Sequence, residues 1–117
     1  MSVLKQKSFT FALRIVKLSK HLQETKREYV LSKQVLRSGT AVCALVREAE
    51  HAESKADFIH KLAIAQKEAN ESHYWLELLS QSDYIDEKAF LSIAADCIEL
   101  LKLLTSIIKT SKANINN

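Results

Sequence analysis

Proline is absent from this chain of 117 residues, and glycine occurs only once, at Gly39. Both residue types mark turns and interrupt helices, so their scarcity favours long helices joined by short connections. A fold made of strands needs turn residues about every 8–12 positions, and this sequence does not supply them. The length is that of one domain with a sizeable core. The composition therefore predicts a single all-α domain over residues 1–112, followed by a polar tail at 113–117.

Cysteine and long hydrophobic runs are also scarce. Cys43 and Cys97 lie far apart in apolar segments, which excludes a disulfide framework and predicts two small buried side chains. No apolar run reaches the roughly 18 residues that a membrane span requires, and no signal peptide is evident before the first predicted helix. We therefore expect a cytoplasmic protein without a membrane partner.

Sequence motifs for catalysis are missing. There is no glycine-rich phosphate loop, no cysteine–histidine spacing typical of zinc, and no nucleophile with a base nearby in sequence. A di-iron site in a helical bundle needs two Glu-x-x-His pairs, whereas only Glu48 and His51 have this spacing. We interpret His51 instead as a cation near a helix C-terminus. The sequence thus predicts no catalytic residue, metal site, cofactor or small-molecule substrate, and we expect a protein that is not an enzyme.

Apolar residues recur at alternating steps of three and four, which predicts four helices. The first should span about residues 8–23 and could start earlier, the third about 54–81 and the fourth about 86–112. Ser32 is predicted as the N-cap of the second helix, and Ser54 with Asp57 as a capping box of the third. The fourth helix is predicted to start at Asp86, because Ile85 and Phe90 have the spacing of a hydrophobic staple around a cap at that position. Short connections between long helices force antiparallel neighbours, so the expected architecture is an up-down-up-down four-helix bundle.

The predicted core consists of one apolar seam from each helix. Its members are Leu4, Ser8, Phe11, Ile15, Leu18 and Leu22; Val35, Leu36, Gly39, Val42, Cys43, Val46 and Ala49; Phe58, Leu62, Ala65, Ala69, Ser72, Leu76 and Leu79; and Phe90, Ile93, Cys97, Leu100, Leu104 and Ile107. A glycine inside a helix costs about 1 kcal/mol relative to alanine, so Gly39 predicts close approach by a neighbouring helix or a bulky ring.

The first and fourth predicted helices carry more apolar surface than one seam requires. Phe9, Leu13 and Val16 form a second stripe in the first helix, and Ala94, Ile98, Leu101 and Ile108 form one in the fourth. A monomer rarely exposes a large contiguous apolar patch. We therefore expect a homo-oligomer with these faces at the subunit interface.

Charge is distributed unevenly along the chain. Residues 1–37 have a net charge of +7, and the remaining residues sum to −4. This asymmetry favours an anionic partner, and a ring of subunits would multiply the positive field. The candidate nucleic-acid-binding residues are Arg14, Lys17, Lys20, Lys26, Arg27, Lys33 and Arg37. A solvated helix face with a charged loop is the alternative interpretation. Aromatic residues are poorly interleaved with these cations, which argues against base stacking on single strands.

A second polar group lies on the flank of the third predicted helix. Helical spacing places Glu68, Glu71 and Trp75 on one side, where they could pair with Arg37 or Glu48 of the second helix. Two interpretations remain open for this group. It is either a structural hydrogen-bond network or subunit contact, or a pocket for a ligand or partner.

Several motifs between residues 35 and 79 carry a family resemblance. They are Leu36-Arg37-Ser38-Gly39-Thr40, Glu48-Ala49, Asp57-Phe58-Ile59 with Lys61-Leu62, Lys67-Glu68-Ala69-Asn70-Glu71, and Tyr74-Trp75-Leu76-Glu77-Leu78-Leu79. In these segments the chain resembles the bacterial four-helix bundle proteins encoded within 23S ribosomal RNA intervening sequences. The weaker patterns of the first and fourth helices extend the resemblance to most of the chain. Its polar and packing positions are Arg37, Gly39, Glu48, Asn70, Glu71 and Trp75.

The resemblance implies an antiparallel bundle that assembles into a ring, typically a pentamer, with an unknown molecular function. A distantly similar protein is the accessory variability protein of diversity-generating retroelements, a basic pentameric barrel that binds a reverse transcriptase and nucleic acid. One departure is Cys43-Ala44-Leu45, where the family often has Gly-Ala-Asn. Cysteine and leucine suit a core, so the departure preserves a packing role for this turn but not a polar one.

The sequence is thus interpreted as a non-enzymatic oligomeric scaffold. Its partner would be RNA, DNA or a nucleic-acid enzyme, bound through the basic face of the first helix. The alternative is a protein-only assembly module, for which the apolar excess of the first and fourth helices is the argument.

Overall fold

The computed structural model describes residues 1–115, and the only regular elements in that range are four α-helices. They are α1 (Ser2–Glu24), α2 (Leu31–Glu50), α3 (Lys55–Gln81) and α4 (Glu87–Ile115). The predicted all-α fold is confirmed. Helix α1 begins six residues before Ser8, and α4 continues three residues beyond Lys112, so the predicted polar tail starts within a helix. The last two positions of that tail, Asn116 and Asn117, lie outside the described residues.

Each helix packs against two of the other three. Helices α1 and α3 both contact α2 and α4, whereas α1 and α3 do not pack on each other, and neither do α2 and α4. The connections are residues 25–30, 51–54 and 82–86, too short for a crossover between parallel helices. The predicted up-down-up-down bundle is confirmed. It is elongated, about 51 × 22 × 20 Å.

Two of the predicted helix caps form as expected. The Ser54 hydroxyl accepts a hydrogen bond from the backbone N–H of Asp57 at 3.0 Å, and the Asp57 carboxylate accepts one from the Glu53 N–H at 3.2 Å. The Asp86 carboxylate accepts from the Ala89 N–H at 2.7 Å at the start of α4. These side chains satisfy backbone donors that have no partner within the helix.

The start of α2 differs from the prediction, because Ser32 is not its N-cap. The helix begins at Leu31, and the Glu28 carboxylate accepts hydrogen bonds from the backbone N–H groups of Val30 (3.0 Å) and Ser32 (2.8 Å). The Ser32 hydroxyl is buried and donates to the Glu28 carbonyl at 2.8 Å. Glu28 in the loop therefore caps α2 in place of Ser32, because its longer side chain reaches the backbone N–H groups at the start of the helix.

The predicted seams form the core. Their central residues are buried, including both cysteines, which are free thiols as expected. Leu18, Leu36, Phe58, Phe90 and Ile107 lie half-buried at the edges of that core. Small polar side chains complete the contact between α2 and α3, where the buried Ser72 hydroxyl donates to the Ser38 hydroxyl at 2.9 Å.

Gly39 lies where α2 meets α1. A Cβ atom at this position would lie 2.7 Å from Cγ1 and 2.8 Å from Cγ2 of Ile15, closer than real carbon atoms approach. Both Ile15 atoms are attached directly to its stiff, branched Cβ, so they cannot move aside easily. The predicted close approach is confirmed, and the neighbour is a helix rather than an aromatic ring.

Candidate nucleic-acid interface

The nine basic residues of the first third separate into two groups. Four form ion pairs that join helices: Lys5 with Glu50 at 3.3 Å, Lys7 with Glu99 at 2.8 Å, Arg14 with Asp96 at 2.7 Å, and Arg37 with Glu68 at 3.1 Å and with Glu71. The other five form no ion pair within residues 1–115. They are Lys17, Lys20, Lys26, Arg27 and Lys33, and all five are exposed.

The guanidinium N–H donors of the candidate residue Arg14 form hydrogen bonds within the bundle. One guanidinium nitrogen donates to the Asp96 carboxylate and to the Ser92 carbonyl at 3.3 Å, and the other donates to the Ser92 hydroxyl at 3.0 Å. These contacts join α1 to α4. Few donors are left for a phosphate, which sets Arg14 apart from the free cations.

The five unpaired cations lie together at one end of the bundle. Lys17 and Lys20 are in the last two turns of α1, Lys26 and Arg27 are in the loop, and Lys33 is in the first turn of α2. At 1.5 Å per residue, their backbones lie within about 11 Å of the bundle end along the helix axes. We call these five residues the basic tip.

Four carboxylates, those of Glu24, Glu28, Asp83 and Asp86, lie at the same end of the bundle as the basic tip and offset part of its charge. The Glu28 carboxylate is engaged by the α2 backbone, and Glu24 is exposed without an ion pair among the described residues. On the side facing α3 and α4, Asp83 and Asp86 line a groove of about 400 Å³ with His21 and Lys26. The positive potential should therefore be strongest on the side formed by α1 and α2.

Sequence reasoning missed Tyr29, which lies within the basic tip. Its side chain is 48% exposed, and that of the adjacent Val30 is 69% exposed. The only signal in the sequence is a Tyr-Val pair directly after a charged segment, in a connection too short to be buried. The tip therefore combines cations with an accessible aromatic ring.

The predicted polar network between α2 and α3 forms in part. Arg37 donates to Glu68 and Glu71, and the Trp75 indole N–H donates to the same Glu71 oxygen at 3.1 Å. The Arg37 and Glu71 side chains are 52% and 37% exposed, so solvent screening limits the pair to about 1 kcal/mol at most. The network joins α2 to α3 through these side-chain contacts.

The other members of that predicted group lie elsewhere. Glu48 pairs with Lys61 at 3.3 Å, nearer the opposite end of the bundle. Asn70 is exposed, and its side chain makes no hydrogen bond to any described residue. Gly39 faces Ile15 on α1 rather than α3.

The described residues offer little that could hold a metal or act as a nucleophile. Residues 1–115 contain no group of three or more His, Cys, Asp or Glu side chains placed to bind a metal ion. Burial raises the pKa of the Cys97 thiol to about 12, and the nearby Asp96 carboxylate adds to this, while a backbone hydrogen bond from His73 opposes it. Cys97 therefore stays protonated at neutral pH, with its Sγ 3.2 Å from the Ala69 carbonyl oxygen. No helix in the described range is long and apolar enough to cross a membrane.

Two exposed apolar patches lie on opposite sides of the bundle. On α1, Phe9, Leu13 and Val16 are about half-exposed, and Arg47 of α2 covers the Phe9 ring at 5.1 Å, which places this patch on the side of α2. On α4, the exposed patch contains Leu91 and Ile98. The rest of the predicted α4 stripe is not exposed, because Ala94 and Ile108 are buried in the core and Leu101 is half-buried. Thr105, which lines a shallow depression with Ile98, accepts a hydrogen bond from Gln66 of α3 at 2.7 Å. The α4 patch therefore faces the side of α3.

Comparison with known proteins gives a family and a fold. The family model described as 23S rRNA-intervening sequence protein matches residues 2–106. A crystal structure of a protein of unknown function from the S23 ribosomal protein family of Bacteroides thetaiotaomicron is 57% identical, with a TM-score of 0.90. The similarity covers 91% of this chain and 98% of that one. No curated protein matches the chain. The chain thus belongs to the family of 23S rRNA-intervening sequence proteins.

Proposed function

We propose that this protein is a non-enzymatic oligomeric scaffold that binds nucleic acid in the cytoplasm through its basic tip. The observation that carries the proposal is the separation of the basic residues into two groups. Cations elsewhere in the first third are paired across helices, whereas the five at the tip are exposed and unpaired among the described residues. Like charges held close together repel one another, and their grouping is more readily explained by an anionic partner than by stability.

Phosphate binding is the interaction that suits these side chains. Lysine and arginine neutralise backbone phosphates and release condensed counterions, so affinity falls steeply with salt. Five cations on one subunit give modest affinity. A symmetric ring would repeat the tip around its axis, and binding several tips at once would raise the overall affinity.

The two apolar patches support assembly into such a ring. A two-fold dimer would bring identical patches together, whereas the α1 and α4 patches lie on opposite faces of one subunit. Pairing the α1 patch of one copy with the α4 patch of the next is a head-to-tail contact, which closes into a ring when the rotation allows it. The pentamer implied by the family resemblance is our proposal for the closed form.

The experiment that tests nucleic-acid binding compares two variants of equal net charge. Lys20→Gln with Lys33→Gln removes two charges from the tip, and Lys55→Gln with Lys67→Gln removes two from positions on α3 that are exposed and unpaired among the described residues. Binding of labelled RNA and DNA would be followed by fluorescence anisotropy at several salt concentrations. We expect the tip variant to lose affinity by about tenfold or more and to have a shallower salt dependence, because it makes fewer phosphate contacts.

The α3 control should bind nearly as the unmodified protein does. Equal loss in both variants would indicate a diffuse charge effect and contradict a site at the tip. Absence of binding at low salt would contradict the function itself.

A protein-only assembly module is the second candidate. The observation favouring it is the pair of apolar patches on α1 and α4, which supports a protein partner whether or not nucleic acid binds. An assembly that forms normally but ignores RNA and DNA would support this alternative.

A further inference from the structure

We propose that the basic tip prefers single-stranded to duplex nucleic acid because a base stacks on Tyr29. The inference rests on the proposed function and adds the class of ligand. It derives from the loop between α1 and α2, where the exposed Tyr29 follows the unpaired cations Lys26 and Arg27 and precedes Lys33.

The loop that carries Tyr29 is held firmly by backbone and side-chain contacts. Arg27 adopts a left-handed conformation with φ of 56°, and the N–H of Glu28 then donates back to the Leu22 carbonyl at 2.9 Å. The Glu28 carboxylate accepts from two backbone N–H groups on the other side of Tyr29. Residues on both sides of Tyr29 are therefore anchored, and its position is set before any ligand arrives.

The Tyr29 side chain is 48% exposed. It makes no aromatic contact with another described residue and donates no hydrogen bond to one. Tyrosine at a rigid, exposed position offers a large flat surface at small cost in conformational entropy. About half of the Tyr29 side chain is thus available for contact with a partner.

The nearby positive charge favours an anionic partner, and the exposed tyrosine ring favours a nucleic-acid strand whose bases are accessible. Lys26 and Arg27 precede Tyr29 in the loop, and Lys33 follows it in the first turn of α2. Stacking of bases on aromatic side chains together with phosphate contacts is how proteins hold single strands without sequence preference. In a duplex the bases are already stacked and their faces are inaccessible. A second copy of the tip would bring positive charge against positive charge, which argues against self-association here.

The test compares single-stranded and duplex probes of the same sequence, about 16 nucleotides long, by fluorescence anisotropy at low salt. The variants are Tyr29→Ala, Tyr29→Phe and, as a matched control, Tyr74→Ala, which removes an exposed tyrosine from α3 and not from the loop between α1 and α2. We expect Tyr29→Ala to weaken binding of the single strand by about fivefold or more and to change duplex binding by less than about twofold. Tyr29→Phe and Tyr74→Ala should bind the single strand as the unmodified protein does.

The outcomes separate this inference from the proposed function. Equal affinity for both probes, or an unchanged affinity of Tyr29→Ala for the single strand, would overturn the stacking role and leave nucleic-acid binding intact. Failure of the unmodified protein to bind either probe would overturn the proposed function and the inference together. Circular dichroism of each variant would establish that the bundle is folded.

Discussion

At the scale of single residues, the contact between Gly39 and Ile15 is the most specific feature of the fold. The missing side chain lets α1 and α2 approach until a Cβ would overlap two Ile15 carbons. A glycine in a helix interior is unfavourable by about 1 kcal/mol relative to alanine, so the close contact must compensate for it. The effect of a substitution at Gly39 on stability therefore depends on the balance between helix propensity and the close contact with Ile15.

Replacing Gly39 with alanine should destabilise the bundle although it improves helix propensity. Overpacking costs about 1–3 kcal/mol, and the gain in propensity offsets only part of it. We expect a net decrease in the free energy of unfolding of about 1 kcal/mol or more, measured by denaturant titration at fixed protein concentration.

Two changes at Ile15 serve as controls for this prediction. In an Ile15→Ala background the overlapping carbons are gone, so Gly39→Ala should become neutral or stabilising. Ile15→Val keeps both branch carbons and should retain the penalty. Equal effects of Gly39→Ala in all three backgrounds would show that the contact with Ile15 does not decide the choice of glycine.

At the scale of elements, local patterns predicted more than long-range ones. The caps at Ser54 and Asp86 follow from short spacings, and both formed. The seams also follow from periodicity, because one face of each helix must be buried. Ser32 was misassigned because a serine before an apolar run is a common cap, whereas the role of Glu28 depends on the path of the loop.

The Glu28 contacts predict a measurable contribution to the α1–α2 connection. Glu28→Ala removes the acceptor for two backbone N–H groups and should lower the free energy of unfolding by about 1 kcal/mol, as loss of a helix cap does. Glu28→Gln keeps an acceptor oxygen but loses the charge at the helix N-terminus, so we expect a smaller loss. Amide hydrogen exchange at Val30 and Ser32 would locate the effect.

Glu24→Ala is the matched control, because it removes the same charge from an exposed residue of α1. It should change stability by no more than a few tenths of a kcal/mol. A loss equal to that of Glu28→Ala would attribute the effect to charge and not to capping.

At the scale of the whole molecule, the arrangement of charge could not be read from the sequence. The candidate set included Arg14 and Arg37, whose partners lie on helices far along the chain. Whether a cation is free depends on which carboxylates the fold brings near it. The sequence did predict that Arg37 could pair with the flank of α3. This contact forms because helical periodicity places Arg37 and the glutamates of α3 on facing sides of their helices.

The proposed assembly would connect the apolar patches to the basic tip. In a head-to-tail ring the tips recur by symmetry, so a variant that stays monomeric should bind nucleic acid more weakly although no charge has changed. Leu13→Gln on the α1 patch and Ile98→Gln on the α4 patch each remove one half of the proposed contact. Each variant retains the other half unaltered.

The most direct test is the mass in solution by light scattering of the unmodified protein, the two variants and their equimolar mixture. The account predicts a multi-subunit ring for the unmodified protein and a mass near 13.3 kDa for each variant alone. The mixture should form only dimers, since one intact α1 patch can meet one intact α4 patch and no further contact remains. A monomeric unmodified protein, or a mixture no larger than its components, would contradict the ring.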